Sequence, residues 1–315
     1  MSNPQRALVA LLLAVLVVLA GCSGGGTDPA TDTAAPDATA TTDGSDGPST
    51  VESANATAVK RDALSAMADV ETYRIDARIV TVVSSNNVER RTVTNSTGAV
   101  DRAERELRID RTARVAGRSS SVSTYVVDRT LYQRSPQFTR AFSSKWIQRN
   151  ISANFSQRWS ALDTLTRQRE LLNISDVELV GRETVDGTET YVLRATPDPE
   201  RYAELSADVT NRRVGEVRNV SVTYWLATDT YRPVKSNTTI DSTVSVRGRE
   251  MDLHQELTLR LSGYGDDVSI RLPPAAETAV SLGDRLNATT TTSDEATSTG
   301  ERTTDGRTAT TTTTA

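Results

Sequence analysis

From Met251 to Leu261 the chain alternates strictly enough to dictate a strand. Met251, Leu253, Leu257, Leu259 and Leu261 fall on one side, and Asp252, His254, Glu256, Thr258 and Arg260 on the other. Only a backbone with a period of two separates the sets in this way. The runs Val220 to Ala227 and Val234 to Val246 share this character. Strands of this kind pair antiparallel, with one face wet and the other covered. The remainder of the chain has to supply that cover.

The same alternation recurs upstream. Tyr73 to Ile79 predicts a half-buried strand, Ser84-Ser85-Asn86-Asn87 a turn, and Val88 to Thr94 a return strand. Further strands are predicted over Glu106 to Val115, Ser121 to Val127, Leu131 to Gln133 and Val177 to Thr184. Asp186-Gly187 lies between two alternating runs and signals a hairpin, with Tyr191, Leu193 and Ala195 facing one way on its return. Val268 to Pro273 predicts a closing strand. Helical spacing is rarer. Val59, Ala63, Leu64 and Met67 share one face of Ala58 to Met67, and Pro199 to Val209 predicts a second short helix. Phe138 to Leu172 holds all three phenylalanines and two of the three tryptophans; Phe155, Trp159, Leu162 and Leu165 predict one helix over Asn154 to Leu172. The sum is an α+β fold, a curved antiparallel sheet whose concave face is covered by helices, chiefly this aromatic-rich insert.

Both ends are different. Ala7 to Ala20 is uninterrupted apolar sequence behind a single charge, Arg6. It falls short of the roughly 20 residues of a spanning helix, and a charged start with small residues at the end marks an export leader. It closes on Leu19-Ala20-Gly21-Cys22, and Cys22 is the only cysteine in the chain. These four residues resemble a lipobox, at which a precursor is lipidated on cysteine and cut before it. Residues 1–21 are thus expected to be a lipoprotein signal peptide. Cys22 is the expected lipid anchor, holding the protein on the extracytoplasmic face of the cell membrane. Without a twin arginine, export of the unfolded chain is the expected route. Residues 22–50 are a Thr/Asp/Ala tether that cannot bury enough surface to offset its ordering entropy; its span is about 30 Å. Residues 284–315 form a similar Thr-rich tail, leaving 51–283 as the folded domain.

Composition narrows the chemistry. The net charge is −5, and Lys60, Lys145 and Lys235 are the only lysines. An acidic, Thr-rich, lysine-poor surface suits high salt, where exposed charges are screened within a few ångströms, and a haloarchaeal source is expected. The balance argues against nucleic acid, which demands a basic face. With one cysteine, spent on the anchor, the domain has no internal disulfide. With one histidine, a Ser-His arrangement would have to be built on His254, which reads as a solvated strand residue between Asp252 and Glu256. Zinc would need several His or Cys ligands. Gly24-Gly25-Gly26 lies in the tether and opens no helix, and Asp266-Asp267 beside Gly265 is turn chemistry. No catalysis, cofactor or metal is expected.

Eight asparagines, Asn55, Asn95, Asn150, Asn154, Asn173, Asn219, Asn237 and Asn287, are each followed at the second position by Ser or Thr. Chance would place roughly three such sequons among twelve asparagines, so a glycosylated exterior is expected. Asn154, at a helix start, could equally serve as an N-cap.

Two local patterns carry a resemblance. One is Tyr224-Trp225-Leu226-Ala227-Thr228-Asp229-Thr230-Tyr231-Arg232-Pro233-Val234-Lys235; the other is Tyr264-Gly265 followed by Val268 to Pro273. With the order of elements they resemble the LolA/LppX-like lipoprotein superfamily, over Val51 to Leu282. The superfamily includes lipoprotein-sorting carriers, mycobacterial LppX lipoproteins and haloarchaeal lipoproteins of unknown role. The resemblance implies a half-open β-barrel with helices as a lid, an apolar cavity that in carriers holds acyl chains, and no catalytic residue. The ligand cavity is accordingly expected at Ile75, Ile79, Phe155, Trp159, Leu162, Tyr224, Leu226, Leu257 and Leu259, with a lipid or acyl chain as ligand. Arg140, Lys145, Arg149 and Arg158, interleaved with the aromatics, would meet headgroups or form a solvated face. A second reading stands beside this one: the same residues fill a solid core, and the protein is a structural or interaction lipoprotein with no ligand. No protein partner is legible.

Overall fold

A computed structural model describes residues 55–85, 88–210, 216–246 and 249–282. The leader, the lipobox with Cys22, both low-complexity ends, Asn287 and the Asn86-Asn87 turn residues lie outside that set. Helix α1 (Ala56–Ala68) precedes strands β1 (Thr72–Ser85), β2 (Val88–Asp101), β3 (Glu106–Val115), β4 (Arg118–Val127) and β5 (Thr130–Arg134). A helical insert follows: α2 (Phe138–Phe142), β6 (Trp146–Asn150), a 3-10 turn (Ser152–Asn154), α3 (Phe155–Leu162) and α4 (Thr164–Asn173). Strands β7 (Ser175–Val185) and β8 (Thr188–Pro197), helix α5 (Pro199–Thr210), and strands β9 (Val217–Ala227), β10 (Pro233–Val246) and β11 (Arg249–Ser262) come next. A 3-10 turn (Pro274–Thr278) and β12 (Val280–Ser281) complete the order.

The strands form one sheet in the order β12-β6-β5-β4-β3-β2-β1-β11-β10-β9-β8-β7. Neighbours are antiparallel, except that β12 runs parallel to β6. The long central strands follow the alternation that the sequence carries. The β7–β8 hairpin turns through Asp186 and Gly187, both with positive φ (50° and 83°), the geometry that matches the right-handed twist of the strands.

Helices α1, α3 and α4 pack on one end of the concave face. Val59, Ala63 and Met67 of α1, Phe155 and Trp159 of α3, and Leu165, Leu171 and Leu172 of α4 join Tyr73, Val100, Leu107, Leu193, Tyr224, Leu226 and Leu259 of the sheet in one buried cluster. Burying each large apolar side chain contributes about 1.5–3 kcal/mol. This term carries the domain, since no disulfide helps.

The cover is fastened through one buried carboxylate. Asp163, fully buried, separates α3 from α4. Its Oδ1 accepts from the Tyr73 hydroxyl (2.6 Å) and the Leu165 N–H (3.2 Å); its Oδ2 accepts from Arg102 Nε (2.9 Å) and Thr166 Oγ1 (2.6 Å). Arg102 also donates to the Met67 carbonyl at the end of α1 (3.0 Å). Burial, together with the adjacent carboxylate, holds the Tyr73 phenol well above its ordinary value.

Three expectations are corrected. Asn154 to Leu172 is not one helix. It breaks at Asp163, whose extended backbone (φ −72°, ψ 103°) lets the carboxylate cap α4. The insert also contains β6, which pairs with β5 from Thr130↔Asn150 to Arg134↔Trp146. Val268 to Pro273 is no strand: it crosses the outer face, where Ile270 and Leu272 pack near Tyr125, Trp146 and Ala276. Lying across a sheet face rather than beside an edge, it has no ladder to join.

Removing Arg102 leaves a buried carboxylate without its cation. Arg102→Met is expected to lower unfolding free energy by about 3–5 kcal/mol, and Tyr73→Phe by about 1–3 kcal/mol. Urea titrations at constant salt measure both; values near zero for both would show that the carboxylate does not fasten the cover.

Candidate functional site

The register fixes which side chains share the concave face. One row runs Arg111, Ser96, Ala77, Leu259, Ser236, Tyr224 and Leu193; the next runs Ala113, Thr94, Ile79, Leu257, Thr238, Val222 and Ala195. The first row runs under the helices at its Leu259–Leu193 end. From the second row onward, and at Val122 beside Arg111 in the first, the character changes. Ile79, Val83, Leu253, Leu257, Val115 and Val122 remain only half-buried, although they occupy the apolar phase of their strands. They line a trough beside the covered core.

Among the nine expected cavity residues the structure therefore makes two groups. Ile75, Phe155, Trp159, Tyr224, Leu226 and Leu259 are buried in the packed cluster, with Leu162 against its edge. Ile79 and Leu257 are cross-strand partners and lie in the half-open part, with Leu257 also touching the edge of the cluster. Polar bonds lock the packed side: the Tyr224 hydroxyl donates to the Gln168 carbonyl (3.1 Å) and Ser236 Oγ to Gln168 Oε1 (3.0 Å). Burial drives the Tyr224 phenol strongly upward.

The trough floor is polar in places. Thr81 and Thr92 are paired and buried, and Gln255 Nε2 donates to Thr81 Oγ1 (3.3 Å). Thr238 Oγ1 and Ser242 Oγ are buried without a hydrogen-bond partner, which costs about 1–3 kcal/mol each. Arg111 stands on the same face. It is half-buried, its Nε donates to Ser96 Oγ (3.3 Å), and desolvation pulls its guanidinium below the ordinary value.

At the rim of the helical cover, Phe155 and Trp159 lie 6.3 Å apart, with the guanidinium groups of Arg105 and Arg129 at 5.9 and 5.7 Å from the Phe155 ring. Arg149 points inward on β6, and burial followed by the nearby Arg158 lowers it. Arg140 and Lys145 are exposed. A groove of about 540 Å³ opens elsewhere, lined in part by Asp76, Asp186, Asp229, Arg232, Arg260 and Tyr264. Here the two sequence patterns that carry the resemblance meet, since the Tyr264 hydroxyl donates to the Pro233 carbonyl (2.6 Å).

Of the sequon asparagines, Asn55, Asn95, Asn150, Asn154, Asn173 and Asn219 are exposed and Asn237 is half-buried. Asn55 caps α1 through the Thr57 N–H. Asn154 makes no such cap and accepts from Arg158 Nε instead (3.0 Å).

His254 faces outward, with Nδ1 2.7 Å from Asp241 Oδ1 and Nε2 3.5 Å from Glu256 Oε1. No nucleophile is bonded to it among the described residues. Among those residues, too, no group of three or more His, Cys, Asp or Glu is placed to hold a metal ion, and no helix is long and apolar enough to cross a membrane.

A family model matches residues 7–230. The chain belongs to DUF7537, a family of unknown function. No curated protein matches this DUF7537 member. Among solved structures it is similar to the lipoprotein LppX of Mycobacterium tuberculosis, at 16% identity and a TM-score of 0.42, over 69% of this chain and 98% of LppX. It is also similar to LprF from Mycobacterium bovis, at 13% identity and a TM-score of 0.40, over 69% and 96%. Likeness at this level says nothing of a ligand, and the fold rests on the strand order above.

The Asp241 bond raises His254 above its ordinary 6.5, and the same bond lowers Asp241. The imidazolium partnership therefore stabilises the fold below pH 6.5 and is lost as pH rises through the raised value. Asp241 contributes above its ordinary carboxylate value, and that contribution is lost as pH falls through the lowered one. Both groups are solvated, so the gain is at most about 1 kcal/mol. Because the chain has one histidine, its NMR titration is unambiguous. A midpoint above 6.5 is expected, falling in Asp241→Asn; an unshifted midpoint in both would refute the pairing.

Proposed function

We propose that this DUF7537 protein is an exported lipoprotein, held on the extracytoplasmic face of the membrane by lipid on Cys22, whose domain binds an apolar ligand without catalysis. The half-open trough at Ile79, Val83, Leu253 and Leu257 carries this reading. A sheet built only to fold would cover such a stripe, because exposed apolar rows cost free energy and invite association. A strand face apolar in phase yet half-open offers a lipid or acyl chain the burial that the helices give the other end. The domain bounds of 51–283, the disordered tether 22–50 and tail 284–315, glycosylation at the sequons and a haloarchaeal source belong to the same proposal. The family match begins at residue 7 and takes in leader and domain together, which supports reading them as one unit.

The dense packing beneath the helices favours the second reading to the extent that six of the nine expected cavity residues are core. On that reading the protein is a structural or interaction lipoprotein. The two separate on ligand content. Purified without detergent from a halophilic host, the full chain carrying Cys22→Ser, which has no covalent anchor, is expected to carry a stoichiometric non-covalent lipid mass in native mass spectrometry. Ile79→Glu and Leu257→Glu are expected to remove it while circular dichroism stays unchanged. A clean unliganded mass that persists after incubation with host lipid extract would exclude the carrier reading.

A further inference from the structure

Charge is sorted across the sheet. On β1–β4, β10 and β11, acids such as Asp76, Glu89, Asp110, Asp241, Asp252 and Glu256 all occupy outward positions. Among the described residues no inward position on these strands holds Asp or Glu, whereas Arg90, Arg111 and Arg118 are all inward. Arg90 pairs with Val83, Arg118 with Val115 and Arg111 with Ser96, so the three flank the half-open trough on its β2–β4 side. The chain carries 41 acidic against 36 basic residues; an inward face with cations alone runs against that balance. Strand geometry puts Arg111 and Arg118 roughly 14 Å apart at Cα, a gap that two long side chains and one headgroup can close. The low-dielectric wall beside them strengthens such attraction, and the guanidinium fork suits paired oxygens of carboxylate, sulfate or phosphate.

We propose that the trough selects an anionic amphiphile, seating its acyl chain along Ile79, Leu253 and Leu257 and its anionic headgroup among Arg90, Arg111 and Arg118. This rests on the carrier reading and adds the headgroup's charge. Each arginine keeps its existing contacts in the free protein; the headgroup adds a shared counter-charge.

The test compares two probes of one chain length, the fluorescent fatty acid cis-parinaric acid and its methyl ester, titrated into the full chain carrying Cys22→Ser. The acid is expected to bind about tenfold or more tighter at low salt, with the preference shrinking as salt rises. Arg111→Gln should remove most of that preference and leave ester binding unchanged. Arg118→Gln, at an exposed position, should do the same in part and keeps the test standing where Arg111→Gln fails to fold. Equal binding of acid and ester overturns the headgroup assignment and leaves the carrier reading intact. Binding of neither probe overturns both. Displacement of the acid by inorganic phosphate at equal concentration would assign the arginines to a free anion and overturn the amphiphile.

Discussion

One buried carboxylate decides where the helices sit. Asp163 lies at the junction of α3 and α4, away from water, and ionised oxygens there need a full set of donors. They obtain it only if Tyr73, Arg102, Leu165 and Thr166 converge. Arg102 in turn reaches the end of α1, so β1, the β2–β3 turn and three helices share one charge. Apolar packing alone would tolerate a slide of the cover over the sheet, since volume matters more to it than position. The polar knot does not, because any slide strands a charge.

Fixing the cover at that end divides the concave face. Near Tyr73, Val100 and Leu107 the sheet is sealed. Six to ten residues further along β1, Ile79 and Val83, with Leu253 opposite Val83 on β11, keep the apolar phase beyond the described helices. The same strands therefore serve two tasks: their first half completes a core, and their second half presents a wall. The outer face needs no such division, being polar along β10 and β11 and covered by the C-terminal segment over β4–β6.

How much of this could be read beforehand depended on the range of the forces involved. The β11 alternation and the Asp186-Gly187 turn are local, and the strands and hairpin formed where the pattern placed them. Strand β6 is five residues long and owes its existence to β5 and β12; its Trp146 fell in the aromatic-rich insert, where no strand was expected. Asp163 is invisible to periodicity, because one acid is tolerated on a helix, and only the distant Arg102 and Tyr73 explain why it is there. Val268 to Pro273 alternates as a strand should, but the sheet offers it a face rather than an edge. For the site, Phe155, Trp159 and Tyr224 were read from their apolar character, which cannot tell a packed wall from an open one.

A signal for the trough was nonetheless present in β3. Leu107, Ile109, Arg111, Ala113 and Val115 share one phase, and four are apolar. A strand that had only to fold would carry valine or threonine at the middle position, where a guanidinium suffers desolvation and loses side-chain entropy. Arg90 on β2 and Arg118 on β4, at exposed ends of neighbouring strands, stand on the same face. One inward cation reads as noise; three on adjacent strands, with no Asp or Glu at an inward position of those strands among the described residues, form a pattern that core packing does not require. An anionic group brought to that wall would lower the cost of holding like charges there, which ties the sorting of charge to the opening of the trough.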